Sequence, residues 1–551
     1  MFVEYFLRRV MMPEKVDAII IGAGHNGLVC AAYLAKHGLK PLVLERRPVV
    51  GGAAVTQQIA PGFRASTFSY LMSLLHPRIQ AELDLKRHGL QIMPCSDMLA
   101  PLDDGDYIVF SDRVERTQAS FARFNEADAR IYPEFDRFLN ENARLFRRLL
   151  WETPFDPTGR DWRTFKQAAG FVHRNWRIGG KLFRVLDMLS MSAYDFLSEW
   201  FSDDRIKAVL AYYASIGTFA GPKTPGSAYV IMHHVMGENA GAGGWGFVRG
   251  GMGAISESIA AAARELGADV RTDSPIAEVA VGDTGVKGVV TEDGRSYESQ
   301  LVVSNVDAKT LYLKMVGQRH LPSEVVRDIS TYRTFSTAFK MNIACERPPQ
   351  YTCLQRALRD DALAGWSYPT YVHIGPDIDY LERAYDDAKY GSYSSQPFIT
   401  PVCPTIVDTT LAPTGKHVVN LFGGHAPYQL KNADWSQEKA RFEQIVLQTL
   451  ERFAPGFSND VIAKQFLIAP DIEQIVGLPQ GHIFQGELSL DQLFFQRPVP
   501  HFADYRTPIK GLYLCGGSVH PGGGVSGIPG YNAAREVLRD LGRESTLRFA
   551  D

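Results

Sequence analysis

Cysteine is scarce in this sequence, and the few cysteines stand far apart. The 551 residues contain six, and none forms a CxxC or CxxxxC pair. This spacing gives no support to a redox dithiol or a zinc knuckle, and a sparse unpaired set favours a reducing compartment. We therefore expect a cytoplasmic location, or a mitochondrial one if the source is eukaryotic.

The sequence also has no large excess of either charge and no long uninterrupted apolar run. The formal net charge of −3 leaves no basic excess to displace counterions from phosphates, so we expect no nucleic-acid partner. Glycines interrupt the most apolar stretch, residues 16–35, which we interpret as a strand and a helix and not as a membrane span. No metal-ligand spacing and no GxSxG motif is present. The first fifteen residues lack the apolar core and the small-residue cleavage site of a secretory signal, and whether residues 1–12 are native, targeting or membrane-touching stays open.

What the sequence does have is an ordered dinucleotide-binding pattern at residues 17–45. An apolar strand is followed by a glycine turn, a helix, a second strand and an acid. Gly22, Gly24 and Gly27 predict a tight turn, a close approach to a pyrophosphate and close packing of the helix on the strand. Glu45 follows after about 20 residues, where a carboxylate accepts both hydroxyls of an adenosine ribose and disfavours NADP.

A second glycine pair, Gly51 and Gly52, comes just after this acid. Such a pair is typical of one group of flavin enzymes and favours FAD over NAD. The glycine-rich residues 241–246 imitate another fingerprint, but no apolar strand precedes them. We interpret them as a hinge or a flavin-side loop, and no pyridine nucleotide site is predicted.

Nucleotide-binding patterns occur in three separated places, which predicts a discontinuous domain. We expect an α/β fold in which residues 15–85, 246–320 and 471–551 form a Rossmann-type FAD-binding domain of the glutathione reductase-like kind. Residues 86–245 and 321–470 would form an inserted α+β substrate domain. Ligands are expected where the two domains meet, since clefts commonly form there.

Local patterns support this division. Asp293 and Gly294 are typical of a hairpin turn, and residues 301–305 of a buried strand that returns to the sheet. Residues 254–266 show helical spacing of apolar residues. The C-terminal residues 511–534 predict a strand, a glycine loop and a closing helix.

These motifs together resemble the phytoene desaturase and amine oxidase superfamily of FAD enzymes. The resemblance is carried by residues 21–29, 228–238, 245–254, 483–493 and 520–525. Within the superfamily it is strongest to proteins named for a pyridine nucleotide-disulfide oxidoreductase domain, although this sequence lacks the redox disulfide of that name. The resemblance implies FAD as cofactor and an FAD-dependent oxidoreductase.

The resemblance also implies which residues contact FAD. The backbone of Ile276 matches a clamp on adenine, and the loop around Gly517 matches one that reaches the second phosphate and the flavin. The closing helix would direct its positive end at the N1 and C2 carbonyl side of the flavin. The full predicted set is Gly22, Ala23, Gly24, Asn26, Gly27, Glu45, Arg46, Gly51, Gly52, Ala53, Ile276, Gly516, Gly517, Gly524, Val525 and Ser526.

Two histidines are the candidates for a catalytic role. His520 lies in the predicted flavin loop, and His234 lies in an apolar helix before the glycine hinge. His233 and His234 are adjacent and therefore point to different faces of that helix, so at most one of them faces the cleft. The alternative for each histidine is a structural side chain held by the backbone.

Residues 144–184 combine ten Lys or Arg and three acids with tryptophan and phenylalanine. This composition suits peripheral contact with lipid headgroups, and the alternative is a solvated basic face over core aromatics.

The activity we predict is removal of hydride from an apolar or amphipathic small molecule, with electrons passing to oxygen or a quinone. The alternatives are a flavin-dependent isomerase of a polyene or lipid without net redox, and a flavoprotein scaffold with little turnover. The sequence leaves the substrate, the acceptor and the oligomeric state open.

Overall fold

The fold is described from a computed structural model, which covers residues 13–176, 182–237, 244–543 and 547. The expectations on residues 1–12 and on the first half of the 241–246 loop, residues 241–243, therefore lie outside the described residues. The strands are β1 (Glu14–Lys15), β2 (Ala18–Ile21), β3 (Pro41–Leu44), β4 (Thr56–Ala60), β5 (Phe63–Ser66), β6 (Ile92–Pro94), β7 (Met98–Pro101), β8 (Tyr107–Phe110), β9 (Gly246–Val248), β10 (Asp269–Arg271), β11 (Ile276–Gly282), β12 (Gly285–Thr291), β13 (Ser296–Glu298), β14 (Val302–Ser304), β15 (Ala338–Cys345), β16 (Tyr371–Val372), β17 (Phe398–Val402), β18 (His417–Gly424), β19 (Val461–Leu467) and β20 (Leu512–Leu514).

The α-helices are fewer than the strands but longer. They are α1 (His25–Lys36), α2 (Pro77–Glu82), α3 (Val114–Ala122), α4 (Glu126–Leu150), α5 (Trp162–Asn175), α6 (Leu182–Ser190), α7 (Ala193–Ser198), α8 (Asp204–Ser215), α9 (Ser227–Val235), α10 (Gly253–Glu265), α11 (Ser323–Thr331), α12 (Leu354–Arg359), α13 (Ile378–Lys389), α14 (Trp435–Phe453), α15 (Ala469–Val476) and α16 (Ile528–Asp540).

A five-stranded parallel sheet in the order β10-β3-β2-β14-β20 forms the nucleotide-binding layer. Its strands β2, β3, β14 and β20 are short, fully buried apolar runs, as expected of parallel strands that are covered on both faces. Helix α1 packs against both α10 and α16. Three separated parts of the chain thus meet in one sheet, and the predicted α/β fold of Rossmann type is confirmed.

The local predictions hold within a residue or two at element ends. Asp293 and Gly294 lie in the turn between β12 and β13, which pair antiparallel in a second, four-stranded sheet. Helix α10 begins and ends one residue earlier than predicted. The predicted C-terminal order of strand, glycine loop and helix is present as β20, residues 515–527 and α16.

A seven-stranded mixed sheet in the order β19-β15-β18-β17-β16-β7-β8 joins the two inserts. Strands β7 and β8 come from the first insert and the other five from the second. The junction is the parallel pair β16 and β7, where Tyr371 is opposite Met98. Helices α4, α8 and α9 bury an aromatic core against this sheet. This arrangement agrees with a substrate domain built from both inserts, whose exact boundaries stay a prediction.

Candidate functional site

A cavity of about 470 Å³, here called the cofactor cavity, lies where β2, β3 and β14 end. This edge of a parallel sheet is where such folds bind nucleotides. Most of the predicted cofactor residues line it, namely Gly22, Gly24, Asn26, Glu45, Arg46, Gly51, Gly52, Ala53, Ile276, Gly517 and Gly524. The structure therefore brings together three motifs that are hundreds of residues apart.

The two N-terminal glycine motifs pack directly on each other. A Cβ atom on Gly27 would lie 2.3 Å from the carbonyl oxygen of Gly22, so only glycine lets α1 approach β2 this closely. Gly51 adopts a φ of 114°, and its N–H donates to the carbonyl of Ala23 at 2.8 Å. The result is a cradle of bare backbone that suits a pyrophosphate.

Glu45 is held with both carboxylate oxygens directed by backbone N–H groups. One oxygen accepts from Ala23 at 2.8 Å, and the other accepts from Arg47 at 3.0 Å. The side chain is buried yet borders the cofactor cavity. Because each carboxylate oxygen has more than one acceptor position, Glu45 can still accept from the two hydroxyls of a ribose.

Five predicted residues stand behind the cavity wall instead of lining it. Ala23 and Gly27 shape the first glycine turn, as described above. The Ser526 hydroxyl accepts from the N–H of Ile528 at 3.2 Å, where α16 begins. The predicted residues that do not line the cofactor cavity are thus structural parts of the two glycine loops; they are Ala23, Gly27, Gly516, Val525 and Ser526.

Two acceptor atoms at the cofactor cavity lack partners among the described residues. They are Oδ1 of Asn26 and Oδ2 of Asp307, and both side chains are buried. Burial raises the pKa of Asp307. Polar groups left unpaired in this way are suited to hydroxyl donors of a bound ligand, so the cavity fits the ribityl and ribose groups of FAD. The sequence reasoning missed Asp307, although its position just after the buried strand β14 was a usable signal.

His520 does not line the cofactor cavity. Its Nε2 donates to the carbonyl of Leu149 at 2.8 Å, and its ring packs edge-on against Phe494 with 4.8 Å between centroids. Burial lowers its pKa to about 3. These contacts match the structural alternative for this histidine, because the ring is already used to join the glycine loop to α4.

A second cavity of about 740 Å³, here called the substrate cavity, lies in the insert domain. Its apolar lining includes Phe135, Leu210, Tyr213, Ile231, Trp245 and Tyr371. One face of α4 adds a polar wall that includes Asp136 and Arg144. Burial raises the pKa of Asp136, against a hydrogen bond from Asn140 that lowers it.

His234 lines this substrate cavity, and its neighbour His233 does not. The two histidines thus point to different places, because His233 lines a separate small cleft beside the C-terminal glycine loop. Nδ1 of His234 donates to the carbonyl of Val230 at 2.8 Å, and its ring stacks with Trp245 at 6.2 Å between centroids. Burial lowers its pKa to about 4, so the ring is neutral and Nε2 is the nitrogen without a proton.

The C-terminal glycine loop lies beside the imidazole pair on α9. Gly523 lines the cofactor cavity and also a small cleft that contains His233. Phe484 packs against both His233 and His234, with centroid distances of 5.2 and 6.3 Å. The imidazole pair on α9 thus lies between the predicted cofactor loop and the substrate cavity.

Two buried basic side chains belong to no sequence motif that would have revealed them. Arg497 is fully buried and donates only to carbonyl oxygens in its described bonds, including Phe484 and Gly517 at 2.7 Å each. It ties the segment that contains Phe484 to the glycine loop. Lys340 is also buried, with Nζ 3.3 Å from Oδ1 of Asn342, and burial lowers its pKa well below the ordinary value.

A parallel nucleotide-binding sheet, a double glycine cradle and a separate aromatic cavity are the features of a flavoprotein oxidoreductase. The sequence profile described as "Flavin containing amine oxidoreductase" matches residues 27–538. The chain belongs to this family, as its motifs suggested, and FAD is its cofactor.

Individual relatives agree with this assignment. The rat pyridine nucleotide-disulfide oxidoreductase domain-containing protein 2 is 39% identical over 96% of this chain and 94% of its own length. A limonene dehydrogenase polypeptide of Castellaniella defragrans is 25% identical over 96% and 95%. The structure of a putrescine oxidase bound to putrescine has the same fold, with a TM-score of 0.62 and 16% identity over 96% of this chain and 99% of that one.

Proposed function

We propose that this protein removes hydride from a C–H bond of an apolar or amphipathic small molecule in the substrate cavity, with electrons passing to oxygen or a quinone. FAD, when bound, accepts the hydride on its ring system. The observation that carries the proposal is the substrate cavity itself, which is aromatic and aliphatic on one side and borders the elements that hold the cofactor loop.

The cavity walls favour a substrate with an apolar body and a polar end. Tyr213, Trp245 and Tyr371 offer flat apolar surfaces, whereas Asp136 and Arg144 on α4 supply polar groups. Burial of an apolar body against such a wall contributes about 25 cal/mol per Å². The polar wall then fixes which end of the molecule points inward.

Relatives with apolar substrates in their names support the same class. The limonene dehydrogenase polypeptide is one of them, and a phytoene desaturase of Pantoea ananas, 23% identical over 95% of this chain, is another. Limonene and phytoene are hydrocarbons without ionisable groups. A substrate of similar polarity fits the apolar side of the cavity described here.

The described residues supply orientation and exclusion of water. Trp245 and His234 stack in parallel and leave a flat face toward the cavity, which can position a planar or unsaturated part of a substrate. The neutral His234 can accept a hydrogen bond through Nε2 from a polar group of the substrate. The oxygen or quinone acceptor is proposed because the sequence has no CxxC or CxxxxC dithiol motif and no predicted pyridine nucleotide site.

The test is anaerobic reduction of the purified holoprotein by candidate substrates. Cyclic monoterpenes, polyenes and long-chain amines are added without an acceptor, and loss of the visible flavin absorption is recorded. We expect bleaching by an apolar or amphipathic compound and recovery when air or a soluble quinone is admitted. No bleaching by any apolar compound, together with bleaching by a small polar amine, would overturn the proposed substrate class.

A matched pair of variants locates the reaction in the cavity. Val235→Phe narrows the substrate cavity, whereas Leu490→Phe adds the same bulk at a residue that is 54% exposed. We expect only Val235→Phe to raise the substrate concentration needed for bleaching, with unchanged flavin content. Turnover only after prior reduction would indicate the isomerase, and unaltered flavin with every compound would indicate the scaffold.

We also propose that the first insert contacts an anionic lipid surface through an aromatic patch on α5, α6 and the residue after α5. The patch consists of Trp162, Phe165, Val172, Trp176 and Phe183, which are 61–81% exposed. Trp162 and Phe165 stack at 5.4 Å. This patch is smaller than the predicted segment 144–184, because Trp151 is buried and is not available to a lipid surface. Residues 177–181 of the segment lie outside the described residues.

Charge favours a lipid surface over a second copy of the chain. Residues 162–175 contain two Arg, one Lys and one His but no acid, so a symmetric pair would bring like charges together. Aromatic side chains beside basic ones suit the boundary of anionic headgroups. Among the described residues no helix is long and apolar enough to cross a membrane, and the contact we propose is peripheral.

Co-sedimentation with vesicles tests this contact. The protein is mixed with phosphatidylcholine vesicles with and without phosphatidylserine, alongside a Trp162→Ser/Phe165→Ser variant and a Tyr390→Ser/Leu490→Ser control, whose residues are equally exposed elsewhere. We expect the protein to bind only the vesicles that contain phosphatidylserine, and only the patch variant to lose this binding. Equal binding of all three proteins, or a dimer in solution that only the patch variant dissociates, would overturn the lipid proposal. A cytoplasmic location stays a prediction from cysteine usage.

A further inference from the structure

His233 is buried and has unused hydrogen-bonding capacity. Its side chain is 5% exposed, and neither Nδ1 nor Nε2 has a hydrogen-bond partner among the described residues. Leaving a buried polar group unpaired is energetically unfavourable. Other buried histidines in this chain differ, because His234, His425 and His520 each use one ring nitrogen.

The position of His233 indicates what the missing partner is. A Cβ atom placed on Gly524 would lie 3.8 Å from Nε2 of His233. The cleft that contains His233 is also lined by Gly523 and Ser526, just before α16 begins. Gly523 and Gly524 line the cofactor cavity as well. The unpaired ring therefore lies beside the loop that the family resemblance assigns to the flavin.

The protonation state narrows the chemistry of the partner. Burial, followed by the nearby His234 and Arg497, lowers the pKa of His233 to about 3. The ring is neutral at physiological pH, with one nitrogen as donor and one as acceptor. A neutral donor suits a carbonyl oxygen better than a phosphate or carboxylate, which would favour a protonated imidazole.

We propose that His233 donates a hydrogen bond to the carbonyl-bearing edge of the FAD ring system and thereby tunes its reduction. That edge is the hydrogen-bonding side of the ring, and its oxygens gain electron density when the ring is reduced. A donor directed at it stabilises the reduced form more than the oxidised form. This inference rests on the proposed function of the same site and assigns a role to a residue that contacts the cofactor.

The experiment compares the reduction equilibrium of holoproteins against a reference dye. His233→Leu removes the donor and keeps bulk, whereas His233→Gln keeps an N–H donor. His425→Leu is the matched control, since His425 is fully buried with an unpaired Nε2 but packs against Tyr385 and Phe398, away from the glycine loop. The visible absorption of each protein is recorded in parallel.

We expect His233→Leu to lower the ratio of reduced to oxidised flavin at a fixed dye potential by about tenfold, which is about 30 mV for two electrons. His233→Gln should recover most of this loss and His425→Leu should match the wild type. Should His233→Leu fail to retain FAD, His233→Met replaces it in the comparison with His233→Gln. A ratio and spectrum equal to those of the wild type in the donor-free variant would overturn the inference.

The outcomes also separate this inference from the proposed function. If apolar substrates bleach the wild type but the His233 variants have unchanged ratios, the function stands and the role of His233 is wrong. If the ratios change as expected but no apolar compound bleaches the wild type, the role of His233 stands and the proposed substrate class is wrong.

Discussion

Mild acid should destabilise this protein strongly because it buries several neutral histidines. Burial is the largest cause that lowers the pKa of each one, to about 4 for His234 and to about 3 for the others. The five residues are His233, His234, His373, His425 and His520. An unfolded chain binds protons at these positions near pH 6.5, whereas the folded chain does not. Their contribution to stability is therefore complete above pH 6.5 and is lost as the pH falls toward 4.

The magnitude follows from linkage. Between pH 7 and pH 5.5 each histidine lowers the free energy of unfolding by about 1.2 kcal/mol, and five together by about 6 kcal/mol. Carboxyl groups titrate in part of the same range, so the histidine contribution is best isolated by substitution. Urea unfolding at the two pH values, followed by tryptophan fluorescence, measures the difference for each protein.

Two variants make the test specific. His373→Phe and His425→Leu each remove one buried histidine and should flatten the pH dependence by about 1.2 kcal/mol. His173→Gln changes an exposed side chain and should leave the dependence as in the wild type. Variants that lose stability equally at both pH values, with an unchanged pH dependence, would refute the reasoning.

Three further substitutions test the cofactor cavity and the core. Gly27→Ala places a Cβ atom 2.3 Å from the carbonyl of Gly22 and should lower stability by about 1–3 kcal/mol with loss of bound FAD; full flavin content by absorption would contradict the packing argument. Glu45→Gln keeps the shape but loses the charge, and should weaken FAD affinity by about tenfold in fluorescence titrations; unchanged affinity would exclude Glu45 from the ribose site. Lys340→Met removes a buried amine whose lowered pKa makes the unfolded state take up a proton at neutral pH. We expect higher thermal stability at pH 7 and a smaller gain near pH 10, and an equal gain at both would contradict it.

The nucleotide-binding part of the molecule could be predicted because its signals are local. Residues 17–45 contain a strand, a glycine turn and an acid in an order that is specific for dinucleotide binding. The same holds for the glycine loop before α16. Most of the residues that these motifs predicted line the cofactor cavity, although other lining residues such as Asp307, which lies after a plain apolar strand, were missed.

The substrate cavity could not be predicted in the same way, because its walls come from distant segments. Phe135, Leu210, Ile231 and Tyr371 meet there, and no short pattern records their proximity. The same limit applies to His520, which bonds a carbonyl 371 positions away. The sequence around a histidine that is free to contact a ligand does not differ from that around a histidine held by a distant carbonyl. The two can be distinguished only in the folded structure.

The shared seven-stranded sheet has a consequence for how this chain folds during synthesis. One edge of β7 stays unpaired until its parallel partner β16, about 270 residues later in the chain, has been made. The nucleotide-binding sheet likewise lacks its edge strand β20 until residue 514 has been made. Pairings this distant are slow to form because long loops close with a large loss of entropy. Both sheets are therefore completed late in synthesis, after residues 467 and 514 have been made, and their open strand edges invite aggregation in the meantime.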